Sequence, residues 1–205
     1  GGRRRVILIT GPSGAGKSRL AARLNHRLGW PVVRLDDFYR EVDDPDLPRS
    51  HLGIPDWDHV NSWDADAAVA ALRRLVDTGK ADVPVYDIST SRATGQHLVT
   101  AAPHHLILAE GLFAARVAQA LETEGLLADA LCVRRNRWVT FMLRLVRDLS
   151  ERRKPPHILF RRGMALLLDE PNVLAEAEAH GARCVTPREA EAELVDRAET
   201  MGARR

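Results

Sequence analysis

A chain of 205 residues, 45% hydrophobic and 28% charged, is long enough for one well-buried α/β domain and short for two. Its formal charge of +2 is too small for a general nucleic-acid or membrane-surface binder, and no apolar stretch is long enough to cross a bilayer. Cys132 and Cys184 lie far apart in apolar segments and read as reduced core residues; Gly1–Arg5 lacks the apolar region of a signal peptide, so a cytoplasmic protein is expected.

In chain order, Val6-Ile7-Leu8-Ile9 reads as a buried parallel strand, and Leu20, Ala21, Leu24 and Leu28 recur at helical spacing behind it. Between them, Gly11 and Gly16-Lys17-Ser18 fit the G-x-x-x-x-G-K-[ST] phosphate loop in its strand–loop–helix setting. Its backbone N–H groups would turn inward around phosphate at a helix N-terminus. Gly11, Ser13, Gly14, Ala15, Gly16, Lys17, Ser18 and Arg19 are therefore assigned to a nucleoside triphosphate, ATP or alternatively GTP. Lys17 would reach the β- and γ-phosphates, and the Ser18 hydroxyl would ligate Mg²⁺.

Gly29 stops the first helix, and Pro31–Leu35 is a second short strand running into Asp36-Asp37-Phe38-Tyr39-Arg40. Residues 41–62, rich in Pro, Asp and His, read as a long functional loop. Helical spacing returns at Ala67, Ala68, Ala71, Leu72 and Leu75 and ends near Gly79. Asp82–Tyr86 is an extended piece confined to an edge by Pro84, with Leu98–Thr100 as its hairpin partner. His105–Ala109 is a buried strand ending at Glu110-Gly111, and Ala130–Val133 is a fourth core strand. Helices are expected over Trp138–Ser150 and Ile158–His180; Gly181–Val185 closes the sheet and Pro187 opens another helix. This alternation predicts an α/β P-loop NTPase fold: a doubly wound, mostly parallel five-stranded sheet flanked by helices, with ligands at the strand C-terminal ends. It is expected as one domain, residues 1–205, with a small β-hairpin in an acceptor-binding insertion at about 41–103 and a basic lid at about 149–163.

Phosphoryl transfer also needs a proton acceptor and cations for the developing charge. Asp36, at the end of the second strand, falls where the γ-phosphate should sit; neighbouring Asp37 should point elsewhere, and a solvated turn pair is the bland alternative. Glu110 directly follows a buried strand, where a carboxylate can hold Mg²⁺ or its waters. Arg144, Arg147 and Glu151 share one helix face, which ordinary helical ion pairing also explains. The run Arg152-Arg153-Lys154 then meets Pro155-Pro156; dense cations before a helix breaker suit a lid that closes over phosphates, with a merely solvated charge run as the alternative. Trp57-Asp58-His59 and Tyr86-Asp87 combine aromatic surface with acceptors, although Trp57 and Tyr86 could equally be core.

Taken together, these segments resemble the uridine kinase family of P-loop kinases, relatives of phosphoribulokinase and pantothenate kinase. Asp36-Asp37-Phe38-Tyr39-Arg40 resembles the family's D-S-F-Y-R, and Trp57–Asp64 resembles F-D-H-P-D-A-F-D. Val83–Asp87 is similar to I-P-V-Y-D, Ala109-Glu110-Gly111 to F-E-G, and Arg147–Arg152 to R-D-I-S-E-R at the lid. The resemblance implies Asp36 as the base for a ribose 5′-hydroxyl, with Asp58 and Arg144 on the 2′- and 3′-hydroxyls. It implies Tyr86 facing the base with Trp57 beside it, and Tyr39 at the same acceptor site. Arg147 and Arg152 would meet phosphate oxygens, and Glu110 would support Mg²⁺ through water. The departures fall on acceptor recognition: the family's base-reading histidine aligns with Thr90, a pocket phenylalanine with Ile88, a lid arginine with Lys154 and a glutamine near Arg161. Lys154 cannot repeat a bidentate fork, and the extra cation at Arg161 leaves room for an anionic acceptor.

The expected activity is therefore an ATP- and Mg²⁺-dependent kinase for a primary hydroxyl, first of all that of a nucleoside. Another sugar-like or phosphorylated alcohol is the alternative acceptor, and a non-catalytic nucleotide-binding protein is the rival class; no N-K-x-D guanine signature accompanies the loop. No nucleic-acid or membrane partner is expected, and a homo-oligomer is left open.

Overall fold

Strands buried on both faces must be apolar throughout, and the core runs of this chain are. The computed structural model describes residues 3–57, 59–136, 139, 142, 146 and 169–203. Its strands are β1 (Arg5–Thr10), β2 (Val32–Arg34), β3 (Lys80–Asp87), β4 (Arg92–Thr100), β5 (Leu106–Glu110), β6 (Leu127–Val133) and β7 (Arg183–Val185). Five of them pair in the order β2-β5-β1-β6-β7, wholly rather than mostly parallel, while β3 and β4 form a separate antiparallel hairpin.

Helices α1 (Lys17–Leu28), α2 (Ala65–Thr78), α3 (Ala118–Thr123) and α4 (Pro187–Ala203) are joined by a further helical stretch at 169–179. On one face of the sheet Ile7, Ile9, Leu108 and Leu131 pack with Leu20 and Leu24 of α1 and Leu194 of α4. On the other, Leu8, Ile107 and Ala109 pack with Leu72 and Leu75 of α2. Each fully buried leucine stabilises the fold by about 1.5–3 kcal/mol relative to exposure. Asp64 starts α2 by accepting from the Ala67 N–H at 2.9 Å, a cap worth about 1 kcal/mol. Gly79 ends it with a left-handed φ of 77° and turns the chain directly into β3.

Several elements differ from expectation. β4 starts at Arg92 rather than Leu98, because the backbone ladder with β3 continues through residues whose side chains are exposed. β6 starts at Leu127 rather than Ala130, extended by pairing that begins at Val6↔Leu127. The short 3₁₀ turn Ala114–Val117 and α3 lie outside the expected elements, although Ala114, Val117, Ala118 and Leu121 recur at helical spacing and are buried. The helix expected to reach His180 stops at 179, followed by a turn through Gly181. Residues 139, 142 and 146 are helical, and the remainder of the Trp138–Ser150 expectation lies outside the described residues. Cys132 and Cys184, distant in sequence, are register partners on β6 and β7; both are free thiols, and burial pushes Cys132 up to about 12. No described helix is long and apolar enough to cross a membrane.

Candidate active site

Register sets the site. Ile9 pairs with Glu110 and Thr10 with Cys132, so β1, β5 and β6 end together, beside the start of α1. Gly11 leaves β1 at φ 141°, and a Cβ there would stand 2.3 Å from the Val133 carbonyl oxygen. Only glycine lets the loop pass the end of β6. Gly16 then starts α1 without a side-chain cap and with no acidic residue in the first turn, which leaves the leading N–H groups for an anion. Lys17 is only 8% exposed as a residue, and its ammonium donates to the carbonyl oxygens of Gly11 at 2.8 Å and Pro12 at 3.0 Å and is held over the loop. Ala15 is buried beneath it, whereas Ser13 and Arg19 are exposed.

The Ser18 hydroxyl donates to Glu110 Oε1 at 3.1 Å. Glu110 is 4% exposed; burial first, and then the Asp36 charge, raise its carboxyl above the usual range. The Ser18 bond and the charges of Lys17 and Arg34 pull the other way. Asp36 does not end the second strand. β2 stops at Arg34, and Leu35–Phe38 curl into a 3₁₀ turn whose buried Leu35 carbonyl accepts from Trp63 Nε1 at 2.6 Å. That turn carries the Asp36 carboxylate across to the end of β5, where Oδ1 accepts from the Leu112 N–H at 3.0 Å. A Cβ on Gly111 would lie 2.8 Å from the same oxygen, so the close approach requires glycine there.

Asp37 turns the opposite way, is buried, and accepts from the Tyr86 N–H at 3.5 Å, with Arg34 Nε 3.9 Å from its other oxygen. It seats the hairpin against the sheet. Beside it Tyr86 stacks obliquely on Tyr39 at 6.0 Å, Tyr39 on Phe113 at 6.3 Å, and Phe113 on Trp63 at 5.9 Å. The Tyr86 hydroxyl donates to the Arg40 carbonyl at 3.1 Å. This aromatic wall joins the hairpin, the segment after β2 and the segment after β5. Trp57 is half-buried in a turn, where its carbonyl accepts from Ser62 Oγ at 3.0 Å; the recorded ring neighbour of Tyr86 is Tyr39. At the hairpin tip Ile88 is 85% exposed, and Ser89 and Thr90 donate their hydroxyls to the Asp87 carboxylate at 2.7 and 3.2 Å.

The pattern described as the phosphoribulokinase/uridine kinase family matches residues 6–156. The chain belongs to the phosphoribulokinase/uridine kinase family. Its relatives include a uridine kinase of Clostridium tetani, 28% identical over 155 residues that span 72% of this chain and 69% of that protein. A uridine kinase of Leuconostoc citreum is 30% identical over 72% of this chain and 70% of its own length. The solved phosphoribulokinase of Rhodobacter spheroides shares the fold at a TM-score of 0.52 and 16% identity, over 84% of this chain and 67% of that one. The protein is thus a P-loop kinase of the phosphoribulokinase/uridine kinase type.

Of the expected kinase residues, the fold brings Gly11–Arg19, Asp36 and Glu110 to one end of the sheet, with Tyr39 and Tyr86 on the aromatic wall beyond. Asp58, Arg144, Arg147, Arg152, Lys154 and Arg161 lie outside the described residues, as does the whole lid at 149–163. Sequence reasoning missed Asp37 as the hairpin's anchor and Phe113 and Trp63 as parts of the wall. Phe113 follows Glu110 by three residues, and that run was the available signal.

Proposed function

We propose that this kinase transfers the γ-phosphate of ATP to a primary hydroxyl, most plainly the 5′-hydroxyl of a nucleoside, in the cytoplasm. The observation that carries the reading is the meeting of Ser18, Glu110 and Asp36 at the phosphate loop. A nucleotide switch needs the first two; the third, tied to the Leu112 backbone, is what a transferase needs. The Gly11–Arg19 loop would cradle the phosphates, with Lys17 moving its donors from the loop carbonyls to phosphate oxygens.

Ser18 and Glu110 form a hard oxygen pair suited to Mg²⁺, which takes few protein ligands and completes its shell with water and phosphate. When bound, Mg²⁺ would neutralise charge on the transferring phosphate. Asp36 accepts the proton of the acceptor hydroxyl as its oxygen bonds the γ-phosphorus. The bond to the β–γ bridging oxygen breaks, ADP leaves, and Asp36 returns the proton to water. The insertion at 41–103 holds the acceptor against the aromatic wall, with Asp58 and Arg144 on its vicinal hydroxyls. Residues 149–163 close as the lid, bringing Arg152, Lys154 and Arg161 to the phosphates and acceptor beside Arg147 at the lid's entry.

The hairpin tip favours a second acceptor class. With Thr90 and Ser89 turned onto Asp87 and Ile88 in solvent, nothing at the tip is shaped to read a base edge, so a sugar-like or phosphorylated alcohol is the alternative. A panel of nucleosides, sugars and sugar phosphates, scored by ADP formation with ATP and Mg²⁺, tests the proposal. Turnover with ribonucleosides is expected; ADP formation with no hydroxyl acceptor at all overturns it.

A further inference from the structure

Residues 111–116, directly after β5, make one tight turn that is tied to the site at several points. The Gly111 N–H donates to the Ile9 carbonyl at 3.1 Å, the Leu112 carbonyl accepts from Thr10 Oγ1 at 2.9 Å, and the Leu112 N–H holds Asp36. Phe113 touches both Tyr39 and Trp63 in the aromatic wall. The chain then tightens into the 3₁₀ stretch Ala114–Val117, with the Arg116 N–H donating to the Phe113 carbonyl at 3.0 Å. At 3₁₀ pitch, side chains three residues apart eclipse. Accordingly the Arg116 guanidinium lies over the Phe113 ring, its carbon 5.8 Å from the centroid. Its far end, Nη2, pairs with Glu176 on the helical stretch at 169–179.

Stability does not account for this arrangement. Arg116 Nε is buried without a hydrogen-bond partner, the one such side-chain atom among the described residues. An unpaired buried donor is a cost, and an ion pair whose side chains are 32% and 47% exposed offsets little of it. A residue kept against its own hydrogen-bonding balance is expected where position matters more than stability. Here the positions at stake are the ring that lines the acceptor wall and, four residues earlier, the N–H that holds the base.

We infer that Arg116 is a positioning residue for the transfer: stacked on Phe113 and held by Glu176, it fixes the turn that carries both the acceptor wall and the rest for Asp36. This rests on the kinase reading above. Arg116 touches neither phosphate nor acceptor in this role. It sets the distance between them by preventing the turn from rocking about its bonds to Ile9 and Thr10.

The test uses whichever of uridine, cytidine, adenosine and guanosine wild type turns over best, with every variant assayed well below its melting temperature. Arg116→Ala should raise KM for the nucleoside and lower kcat, each by about tenfold, because acceptor and base lose their register. KM for ATP should stay within about twofold, since the phosphate loop is untouched. Glu176→Gln, nearly isosteric, frees the far end of the guanidinium and should show the same split at about threefold. Arg73→Ala breaks an ion pair of similar exposure, to Glu124, with no aromatic ring beneath it, and should match wild type in all three constants. Arg116→Ala combined with Phe113→Leu should be no worse than the poorer single variant, because both act through one contact. With no acceptor present, the Leu112 amide of Arg116→Ala should exchange with solvent about tenfold faster by NMR. Wild-type nucleoside KM in Arg116→Ala or Glu176→Gln, an equal loss in Arg73→Ala, an ATP KM that rises with the nucleoside KM, additive losses in the double variant, or unchanged Leu112 exchange would each overturn the inference and leave the kinase reading intact. A wild type that turns over none of the four nucleosides overturns the nucleoside reading, and Leu112 exchange then decides on Arg116 by itself.

Discussion

Asp36 Oδ1 accepts from the Leu112 backbone N–H at 3.0 Å, and so the carboxylate after β2 is fixed to the loop after β5. The bond orients the group without consuming it, because a carboxylate keeps its second oxygen and further lone pairs for an acceptor hydroxyl. Asparagine can accept the same N–H bond through its side-chain oxygen but cannot take a proton. Asp36→Asn should therefore fold normally and lower kcat by about 10²- to 10⁴-fold, with ATP affinity near wild type. Asp37→Asn should be the milder change for kcat, since Asp37 faces Tyr86 rather than the loop. Steady-state kinetics on both variants decides; a larger kcat loss from Asp37→Asn would reverse the assignment.

Gly111 provides an independent check on the same contact. An alanine methyl there would press 2.8 Å from Asp36 Oδ1 and 3.0 Å from the buried Leu35 Cβ. Overpacking of this kind costs about 1–3 kcal/mol, and it displaces the carboxylate as well. Gly111→Ala should lower the unfolding free energy by that amount and reduce kcat by at least about tenfold. Denaturant unfolding and turnover, measured side by side, separate the two effects. A variant with wild-type kcat would mean that Asp36 need not occupy its present position.

Lys17 is held by two carbonyl oxygens of its own loop, so it contributes to loop geometry as well as to charge. Lys17→Ala should nearly abolish transfer because a cation is removed from the developing phosphate charge. The sheet should survive, since the lysine lies at its edge and not among the apolar contacts. The readouts are ADP formation and the thermal unfolding midpoint. Wild-type turnover in a purified Lys17→Ala protein would sink the phosphate-loop assignment.

How much of this was legible beforehand follows from where the information resides. Val6–Ile9 and Leu106–Ala109 are apolar on both faces, and such runs declare a covered parallel strand from composition alone. The phosphate loop declares itself because its glycines, lysine and serine are adjacent in the chain. β4 does not, since Arg-Ala-Thr-Gly-Gln-His has no alternation and is held by its ladder with β3. Nor does the wall of Tyr86, Tyr39, Phe113 and Trp63, whose members come from four separate segments. The turn that carries Asp36 beyond the strand depends on a bond from Trp63, 28 positions later. Such features are tertiary, and spacing cannot encode them.

Asp37 makes folding stability depend on pH in a direction that can be worked out. Burial raises its carboxyl above 3.8, aided by Asp36 and opposed by Arg34, the Tyr86 N–H and His97. Between 3.8 and the raised folded value, the native state binds more protons than the unfolded one. Its contribution to stability therefore falls as pH rises through that window and is constant above it. Asp37→Asn removes the titration and retains an acceptor for Tyr86. The melting temperature of Asp37→Asn relative to wild type should rise as pH increases from 3.8 through the raised folded value, following the sign of that linkage. A relative fall over the same range would show that the ionised form is favoured by its neighbours, and that Arg34 outweighs burial.

The acceptor pocket yields the last prediction. By its resemblance to the family, Thr90 is aligned with a base-reading histidine, and its hydroxyl is turned onto Asp87 at 3.2 Å. Ser89 makes the same choice at 2.7 Å, and these bonds hold the Asp87 carboxyl below its usual range. The tip is thus satisfied internally, with no donor aimed at a pyrimidine edge. Vicinal hydroxyls are another matter, because Asp58, the carboxylate proposed to hold them, would lose a partner with each missing hydroxyl. Ribonucleosides should therefore exceed their 2′-deoxy counterparts in kcat/KM, while differences among the four bases stay small. Thr90→His should restore a base-reading donor and shift preference toward uridine and cytidine, leaving KM for ATP unchanged. The measurement is kcat/KM for paired ribo- and 2′-deoxynucleosides across the four bases, in wild type and Thr90→His. Tight wild-type selectivity for uridine and cytidine would place base recognition away from the hairpin tip, and equal values within each pair would remove the carboxylate from ribose recognition.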